Sequence, residues 1–399
     1  MSEITVIDSV MGSGKTSWAI QRMNESTDEN FLYVTPFLDE TERIRSSVNK
    51  KDIILPRNLG EGKSANLIDL FKAQGDVATT HELFKRMTKE CLETISAGKY
   101  TLILDETLDA IQPYFPVKKD DITFLHDREA ITIGEDNYLQ WNGRDLTTAY
   151  DEIKTMSNNN CLFYVNDDVL MWRFPPEIFE CFEKVYVMTY LFDGTIMKSY
   201  FDLYNIDYTK SCIKNDNGLY TLCNYHKSDN SVFKRNINIY QGRMNTKIRQ
   251  KQTSFSSSWY NSPYNVNTVV PIIKNNLSNY FKHICKVDSQ YKMWTVFKSA
   301  KEKLKGKGYT NEFVPCNCRA TNEFQDRTAL AYCVNLYLNP LIMQFFNKYG
   351  IKVDQDKYAL SEMLQWIWRS NIRTGGNINL FIQSNRMRKL LIDWLNNEL

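Results

Sequence analysis

The sequence predicts an α/β protein with two mostly parallel sheets flanked by helices. Three observations predict it. Short apolar runs alternate with helical patterns through the first half, as βαβ units do. A glycine-rich Gly-x-Gly-Lys-Thr loop stands between the first apolar run and the first helical pattern. A second α/β pattern resumes near Met293.

The elements follow in order. Ile4–Ile7 reads as a buried strand, and Lys15 to about Met23 as a helix. Phe31–Val34, Asp76–Thr79, Tyr100–Leu104 and Lys184–Met188 read as further strands, one to a helix, which favours a parallel sheet covered on both faces. Ala130 to Gly143 reads as a hairpin within an insertion of about 111–175. Thr253 to Pro263, rich in Ser and Asn, reads as a loop. Met293–Phe297, Phe313–Cys316 and Ile378–Ile382 read as strands of the second sheet. Lys298–Lys305, Phe324–Leu338, Leu360–Ile372 and Asn385–Leu395 read as helices. These patterns divide the chain into a first domain (1–205), a basic, aromatic-rich connecting segment or insertion (206–290) and a second domain (291–399). No repeat of fixed period and no low-complexity tail is visible.

Composition narrows the class. Hydrophobic residues make up 43% and charged residues 24% of 399, as in ordinary globular chains rather than disordered ones. No apolar run approaches the roughly 20 residues of a membrane span, and the opening Met1-Ser2-Glu3-Ile4 has no leader-like pattern, so a cytoplasmic protein is expected. Nine scattered cysteines and four histidines argue for reduced thiols and against a zinc cage. With a net charge of +2, any polyanion must be met by a local basic surface.

The sharpest signal is Ser9-Val10-Met11-Gly12-Ser13-Gly14-Lys15-Thr16. Phosphates need facing backbone amides and a positive helix end, and a strand–loop–helix supplies both. Glycines at 12 and 14 allow close approach. Lys15 would reach the β- and γ-phosphates, and Thr16 would bind Mg²⁺. Met11, Gly12, Ser13, Gly14, Lys15, Thr16 and Ser17 are the expected nucleotide-binding residues, with ATP and Mg²⁺ as cofactors. Ser9 stands where glycine is usual. The competing reading is a chance loop with a solvated lysine. The expected partner is an acidic pair after a later strand, present as Leu104-Asp105-Glu106-Thr107. Asp105 is the candidate metal ligand and Glu106 the candidate general base, although a helix start also attracts acids.

Gln365, Arg369 and Arg373 are spaced four apart, so one helix would project all three from one face. Guanidinium groups there could stabilise the charge that develops on a departing γ-phosphate; a solvated basic face is the alternative. From Asn230 to Val287 there is no Asp or Glu, while lysines, arginines and aromatics are frequent. A strand could run there, its phosphates on the cations and its bases on the rings. Equally, the rings could be core and the charges solvated. Tyr138, Trp141 and Arg144 on the hairpin are candidates for a strand-separating wedge.

In this order the motifs resemble the superfamily two helicases, DExD/H-type nucleic-acid-dependent ATPases, and in particular small helicase-like proteins of bacteriophages. Gly12–Thr16 is similar to motif I, Val34-Thr35-Pro36-Phe37 to motif Ia, Thr79-Thr80-His81 to the next strand-binding motif, and Asp105-Glu106-Thr107-Leu108 to motif II. Met188–Leu191 lies where the family couples hydrolysis to movement, with Thr189 as the clear hydroxyl. Asn317 to Asp326 is similar to motif V and Gln365 to Arg373 to motif VI. The resemblance implies two RecA-like domains with ATP at their interface. It implies nucleic-acid contacts at Thr35, Pro36, Thr80, His81, Arg319, Thr321 and Asn322, and phosphate chemistry at Lys15, Asp105, Glu106, Gln365, Arg369 and Arg373. The chain departs from the family at Leu108, where Asp or His is usual, in the missing glycine of motif VI, and in having seven residues before Asp8, where no adenine-reading motif fits.

The expected function is an ATP- and Mg²⁺-dependent motor on nucleic acid, DNA favoured over RNA, in phage or mobile-element replication or recombination. Phage or host replication proteins are the expected partners. The alternative is an ATP-switched DNA-binding, annealing or regulatory factor that does not unwind. A packaging ATPase would need an acidic nuclease cluster after the ATPase, whereas the second half is acid-poor from 230 to 287 and ends in basic helices, and a small-molecule kinase leaves Gln365, Arg369 and Arg373 without a role.

Overall fold

The computed structural model describes residues 2–60, 62–115, 118–143, 150–165, 169–317 and 323–399. The chain divides into two compact units. The first is Met1–Ser9, Ser13–Tyr225 and Asn339–Val353; the second is Val10–Gly12, His226–Leu338 and Asp354–Leu399. Among the described residues, no helix is long and apolar enough to cross a membrane.

The first unit opens with β1 (Glu3–Asp8), β2 (Asn30–Thr35), β3 (Ile53–Ile54), β4 (Asp76–Thr80) and β5 (Tyr100–Asp105). An insertion follows with β6 (Ile111–Pro113), β7 (Ile131–Ile133), β8 (Leu139–Trp141), β9 (Leu162–Val165) and β10 (Val169–Arg173). The chain then returns as β11 (Lys184–Thr189), β12 (Thr209–Asp216) and β13 (Leu219–Asn224). The main sheet has the order β13-β12-β1-β11-β5-β2-β4-β3 and is parallel except for the β12–β13 hairpin. Its inner strands are apolar on both faces because helices cover both. One face is sealed by helix α1 (Lys15–Glu25), whose Trp18, Ala19 and Met23 pack with Ile7, Phe31, Tyr33, Ile103 and Met188.

The insertion carries the expected hairpin as β7–β8, beside a three-stranded antiparallel sheet β6-β10-β9. Tyr138 is not free to act as a wedge. Its ring lies under the Arg173 guanidinium at 4.5 Å and beside Phe163 at 5.7 Å. Arg144 lies outside the described residues. The late helix Pro340–Lys348 also belongs to this unit, with Phe345 packed on Phe163 at 5.1 Å.

The second unit contains β14 (Ile237–Ile239), β15 (Lys292–Thr295), β16 (Ala329–Tyr332) and β17 (Ile378–Ile382), all parallel in the order β14-β17-β16-β15. Four sequence expectations change here. Phe324–Leu338 is not a helix: β16 occupies its middle and is wholly buried between two parallel neighbours, a setting in which an apolar run carries no readable period. Phe313–Cys316 contributes only a single bridge, Phe313 to Trp294. Thr253–Pro263 folds into the short helices Ser257–Asn261 and Pro263–Thr268, started by the Ser256 side chain and by Pro263 in the first turn. The segment assigned to a connector or insertion contributes to both sheets, with residues 209–224 extending the first and Ile237–Ile239 the second. Of its aromatics, Phe255 and Tyr260 are core, and Tyr240 and Trp259 pack against them, so they do not form a stacking surface; Tyr264 is exposed. Its cations Lys234, Arg235, Arg243, Lys247, Arg249, Lys251, Lys282 and Lys286 are exposed.

Candidate functional site

Strand order assembles the site. β11 lies between β1 and β5, with Thr189 opposite Asp8 and Met188 opposite Asp105. The phosphate-loop strand and the acidic strand therefore end level, one strand apart. Two backbone bonds continue past the strands: Ser9 N donates to Thr189 O (3.1 Å) and Glu106 N to Met188 O (3.0 Å). Buried Asp8 accepts from the amides of Leu191 (2.8 Å) and Phe192 (3.2 Å), fastening the turn after β11 to the end of β1. Burial pushes its carboxyl up, against the nearby Lys210.

The loop is held from both sides. Ser9, the departure from glycine, has a structural use: its buried hydroxyl accepts the Ile213 amide of β12 at 2.8 Å. Lys15 folds back so that Nζ donates to Ser9 O at 2.5 Å. Gly12 and Gly14 have φ of 82° and 92°, which side chains other than glycine rarely adopt. A Cβ on Gly14 would also lie 2.1 Å from the Tyr220 ring. Gln21 clamps that tyrosine in place, accepting from its amide (3.0 Å) and donating to its carbonyl (3.3 Å). Gly14 caps α1 without a side-chain acceptor, and the positive end of the helix faces the loop. The Ser13 hydroxyl is buried and has no hydrogen-bond partner among the described residues.

Asp105 is half-buried at the end of β5. Tyr33 of β2 donates to its Oδ2 at 2.7 Å. Burial and then the neighbouring Glu106 push the Asp105 carboxyl up to about 6, against the Tyr33 bond and the Lys15 ammonium, which lower it. The His81 ring nitrogen Nε2 lies 3.0 Å from the Asp105 carbonyl. Glu106 has φ of 70°, an uncommon conformation for a non-glycine residue and one that strained functional positions often hold.

The remaining expected residues are placed variously. Thr35 is wholly buried and offers no surface; Pro36 is half-buried and Phe37 is exposed. Thr80 caps the short helix His81–Phe84 by accepting from Leu83 N. His81 is buried against the acidic strand, so neither it nor Thr35 is placed for a strand contact. Thr189 is buried, with no partner for its hydroxyl among the described residues. Arg319, Thr321 and Asn322 lie outside the described residues. Gln365, Arg369 and Arg373 do not share a helical face. Helix Gln355–Ile367 ends at Trp368, where the Ser370 hydroxyl takes the Ile367 carbonyl (2.6 Å) and a 3₁₀ turn Asn371–Thr374 follows. Gln365 is half-buried, Arg369 is 5% exposed, and Arg373 is exposed.

The donor set fits a nucleotide and magnesium. The loop offers backbone amides, a lysine and the unpartnered Ser13 hydroxyl. The cation side offers Thr16 and a carboxylate that burial leaves short of counter-charge. Among the described residues, no group of three or more His, Cys, Asp or Glu could hold a metal ion. Magnesium at phosphates needs only one or two carboxylates, with waters and phosphate oxygens as the other ligands. Sequence reasoning missed Tyr33, Gln21 and Tyr220. Each reaches the site through strand or helix neighbours that are distant in sequence, and no local motif marks them.

Comparison with known proteins agrees with this architecture. Residues 231–395 match the model of the YonV C-terminal Rossmann-like domain, and residues 111–172 match that of the YonV middle domain. The SPbeta prophage-derived uncharacterized protein YonV of Bacillus subtilis (strain 168) is 38% identical over 415 residues, covering 100% of both chains. Among solved structures, Xpd4 of S. tokodaii is similar at a TM-score of 0.50 and 13% identity, over 98% of this chain and 94% of that one. A chain described as XPD helicase is similar at 0.50 and 12%, over 100% and 95%. At that identity the likeness is one of fold, that of an α/β protein with two Rossmann- or RecA-like sheets. The full-length match to the prophage protein places the chain in the YonV family.

Proposed function

We propose that the protein is an ATP- and Mg²⁺-dependent ATPase that acts as a motor on nucleic acid, with DNA the favoured track, in replication or recombination of a phage or mobile element. One observation carries the reading. A phosphate loop with Lys15 at a helix start lies one strand away from a carboxylate, Asp105, whose orientation Tyr33 fixes. In this reading the amides at the start of α1 and Lys15 bind the phosphates. Thr16 and Asp105 hold the magnesium ion, whose charge lowers the cost of charge on the phosphate oxygens. Glu106 orients and deprotonates the attacking water. Arg369 is the proposed arginine for the departing phosphate; Gln365 and Arg373 are assigned lesser, positioning roles. The test is ATP turnover with and without single-stranded DNA, double-stranded DNA and RNA, beside Lys15→Ala. Stimulation by one polymer, lost in the variant, supports the motor; turnover indifferent to every polymer refutes it.

A second reading rests on Leu108. This residue stands where the helicase pattern has Asp or His, and it is packed in the core at 1% exposure. A motif II without that polar group favours an ATP-switched binding or annealing factor. Strand displacement separates the two, because only the motor releases the strand.

A further inference from the structure

In the second unit, helix Val270–Asn279 runs on into a π-helical turn, Tyr280–Cys285, closed by Lys286 at φ 53°. π turns are rare and concentrate at functional sites. This element borders a cavity of about 850 Å³. Lys282, His283 and Lys286 line it from the π turn and its cap, and Lys292 and Lys307 line it from the segments opposite. Asp288 is the one acid in the lining. Among the described residues, Lys282, Lys286 and Lys307 have no ion-pair partner. Lys292 is directed by a 2.8 Å bond from Nζ to Gly308 O.

Uncompensated ammonium groups around one cavity repel one another over about a Debye length, near 10 Å, and a polyanion relieves that cost. The shape of the basic surface selects the kind of polyanion. Asn275, Ser278, Asn279 and Lys282 recur at helical spacing, so neutral donors continue the basic stripe along one face. From Asn275 to Lys282 that face is roughly 10 Å long at 1.5 Å per residue, and Lys286 lies beyond it at the cap of the π turn. The face exceeds an inorganic phosphate and spans several units of a nucleic-acid strand, at about 3.4 Å of axis per phosphate. Lys292 opens β15 and Thr295 closes it, so the cavity adjoins the amino-terminal edge of the second sheet. The loops in which open α/β sheets usually bind ligands lie at the opposite edge.

We propose that this cavity is a nucleic-acid backbone site, sequence-independent and separate from the phosphate loop, that holds a strand whether or not nucleotide is bound. The assay is fluorescence anisotropy of a labelled oligothymidylate on the full chain without ATP, over a range of salt. The variant is the triple Lys282→Glu, Lys286→Glu, Lys307→Glu. The control is Lys234→Glu, Arg235→Glu, Lys247→Glu, which changes as much charge at exposed positions outside the cavity. Circular dichroism melting verifies that both fold. The expected result is at least a tenfold loss of affinity in the cavity variant and a salt slope shallower by about 2, from roughly 0.7 per phosphate contact on a single strand. The control keeps most of both. Equal losses in the two variants, or an unchanged slope in the cavity variant, overturn the proposal. So does displacement of the oligonucleotide by equimolar tripolyphosphate, which marks a free-polyphosphate pocket. The assay uses no hydrolysis, and Lys15→Ala protein gives the same outcome, so this proposal and the ATPase reading stand or fall separately.

Discussion

The Tyr33 hydroxyl donates a 2.7 Å hydrogen bond to Oδ2 of Asp105, joining neighbouring strands at the level where the sheet ends. Among the described residues it is the one side-chain bond to a carboxyl that burial holds near 6. The arrangement keeps a carboxylate oriented at the cost of enclosing it.

That cost is measurable in the metal-free protein. The folded-state value of Asp105 lies above its unfolded value, so its contribution favours the fold at low pH and is lost as pH rises through about 6. Asp105→Asn is expected to raise stability at pH 8 in chelator by on the order of 1–2 kcal/mol and to change little near pH 4. Thermal melts at the two pH values check this, and equal melting shifts at both would contradict it. ATP turnover is expected to vanish in the same variant.

The two loop glycines should differ. Both have positive φ, but a Cβ on Gly12 meets open space while one on Gly14 meets the Tyr220 ring. Gly12→Ala is expected to cost about 1 kcal/mol for its backbone alone. Gly14→Ala is expected to cost about 2–4 kcal/mol, strain and overpacking together. Urea titrations rank them; the reverse order would show that Tyr220 yields easily.

Tyr220→Ala removes the ring beside Gly14 and leaves the Gln21 clamp on the backbone intact. Nucleotide affinity by calorimetry is expected to fall about tenfold, with the melting temperature lowered by only a few degrees. Unchanged affinity would make Tyr220 a packing residue only.

Glu29 gathers Arg22 at 2.6 Å and Lys184 at 2.8 Å at the other edge of the same sheet. Burial alone would raise its carboxyl, but Lys184 and Arg22 outweigh it and hold it low. Its stabilisation is therefore present above the usual glutamate range and is lost as pH falls through the lowered value. Because the site is partly solvated, Glu29→Gln is expected to cost only about 0.5–1 kcal/mol at pH 7. The difference from wild type should shrink below pH 4, as read by denaturant midpoints.

Arg369 and Arg373 are expected to separate sharply. Arg369→Ala should lower ATP turnover at least a hundredfold with nucleotide affinity within about fivefold, whereas Arg373→Ala, at an exposed position, should change turnover less than tenfold. Comparable effects of both would return the pair to a shared role.

Much of this was legible in the sequence where local signals agree. The Ser384 cap gives helix Asn385–Leu395 its start, and β17 and β5 are short apolar runs between breakers. The loop before α1 and the acidic pair closing β5 were legible as positions, because glycines, a lysine and carboxylates stand there at fixed spacing between a strand and its neighbours. β16 was not, since a strand buried on both sides has no alternation. The end of helix Gln355–Ile367 was not, because a four-residue spacing of Gln365, Arg369 and Arg373 continues the helical period past a stop set by Ser370. Tyr33 was hidden because its role depends on β2 lying beside β5, which no stretch of sequence states.

Helix Pro340–Lys348 gives the order of synthesis a consequence. Its Phe345 covers Phe163 of the insertion, yet it leaves the ribosome after most of the second unit has been made. At about 5–20 residues per second, the interval from residue 225 to residue 348 is on the order of ten seconds. For that time Phe163 has Tyr138 beside it but lacks its Phe345 cover, and the nascent first unit offers an uncovered ring to any chaperone that reads one. A fragment ending at Tyr225 would remain in that state permanently, so the amino-terminal half should express as an aggregating species unless residues 339–353 are supplied to it.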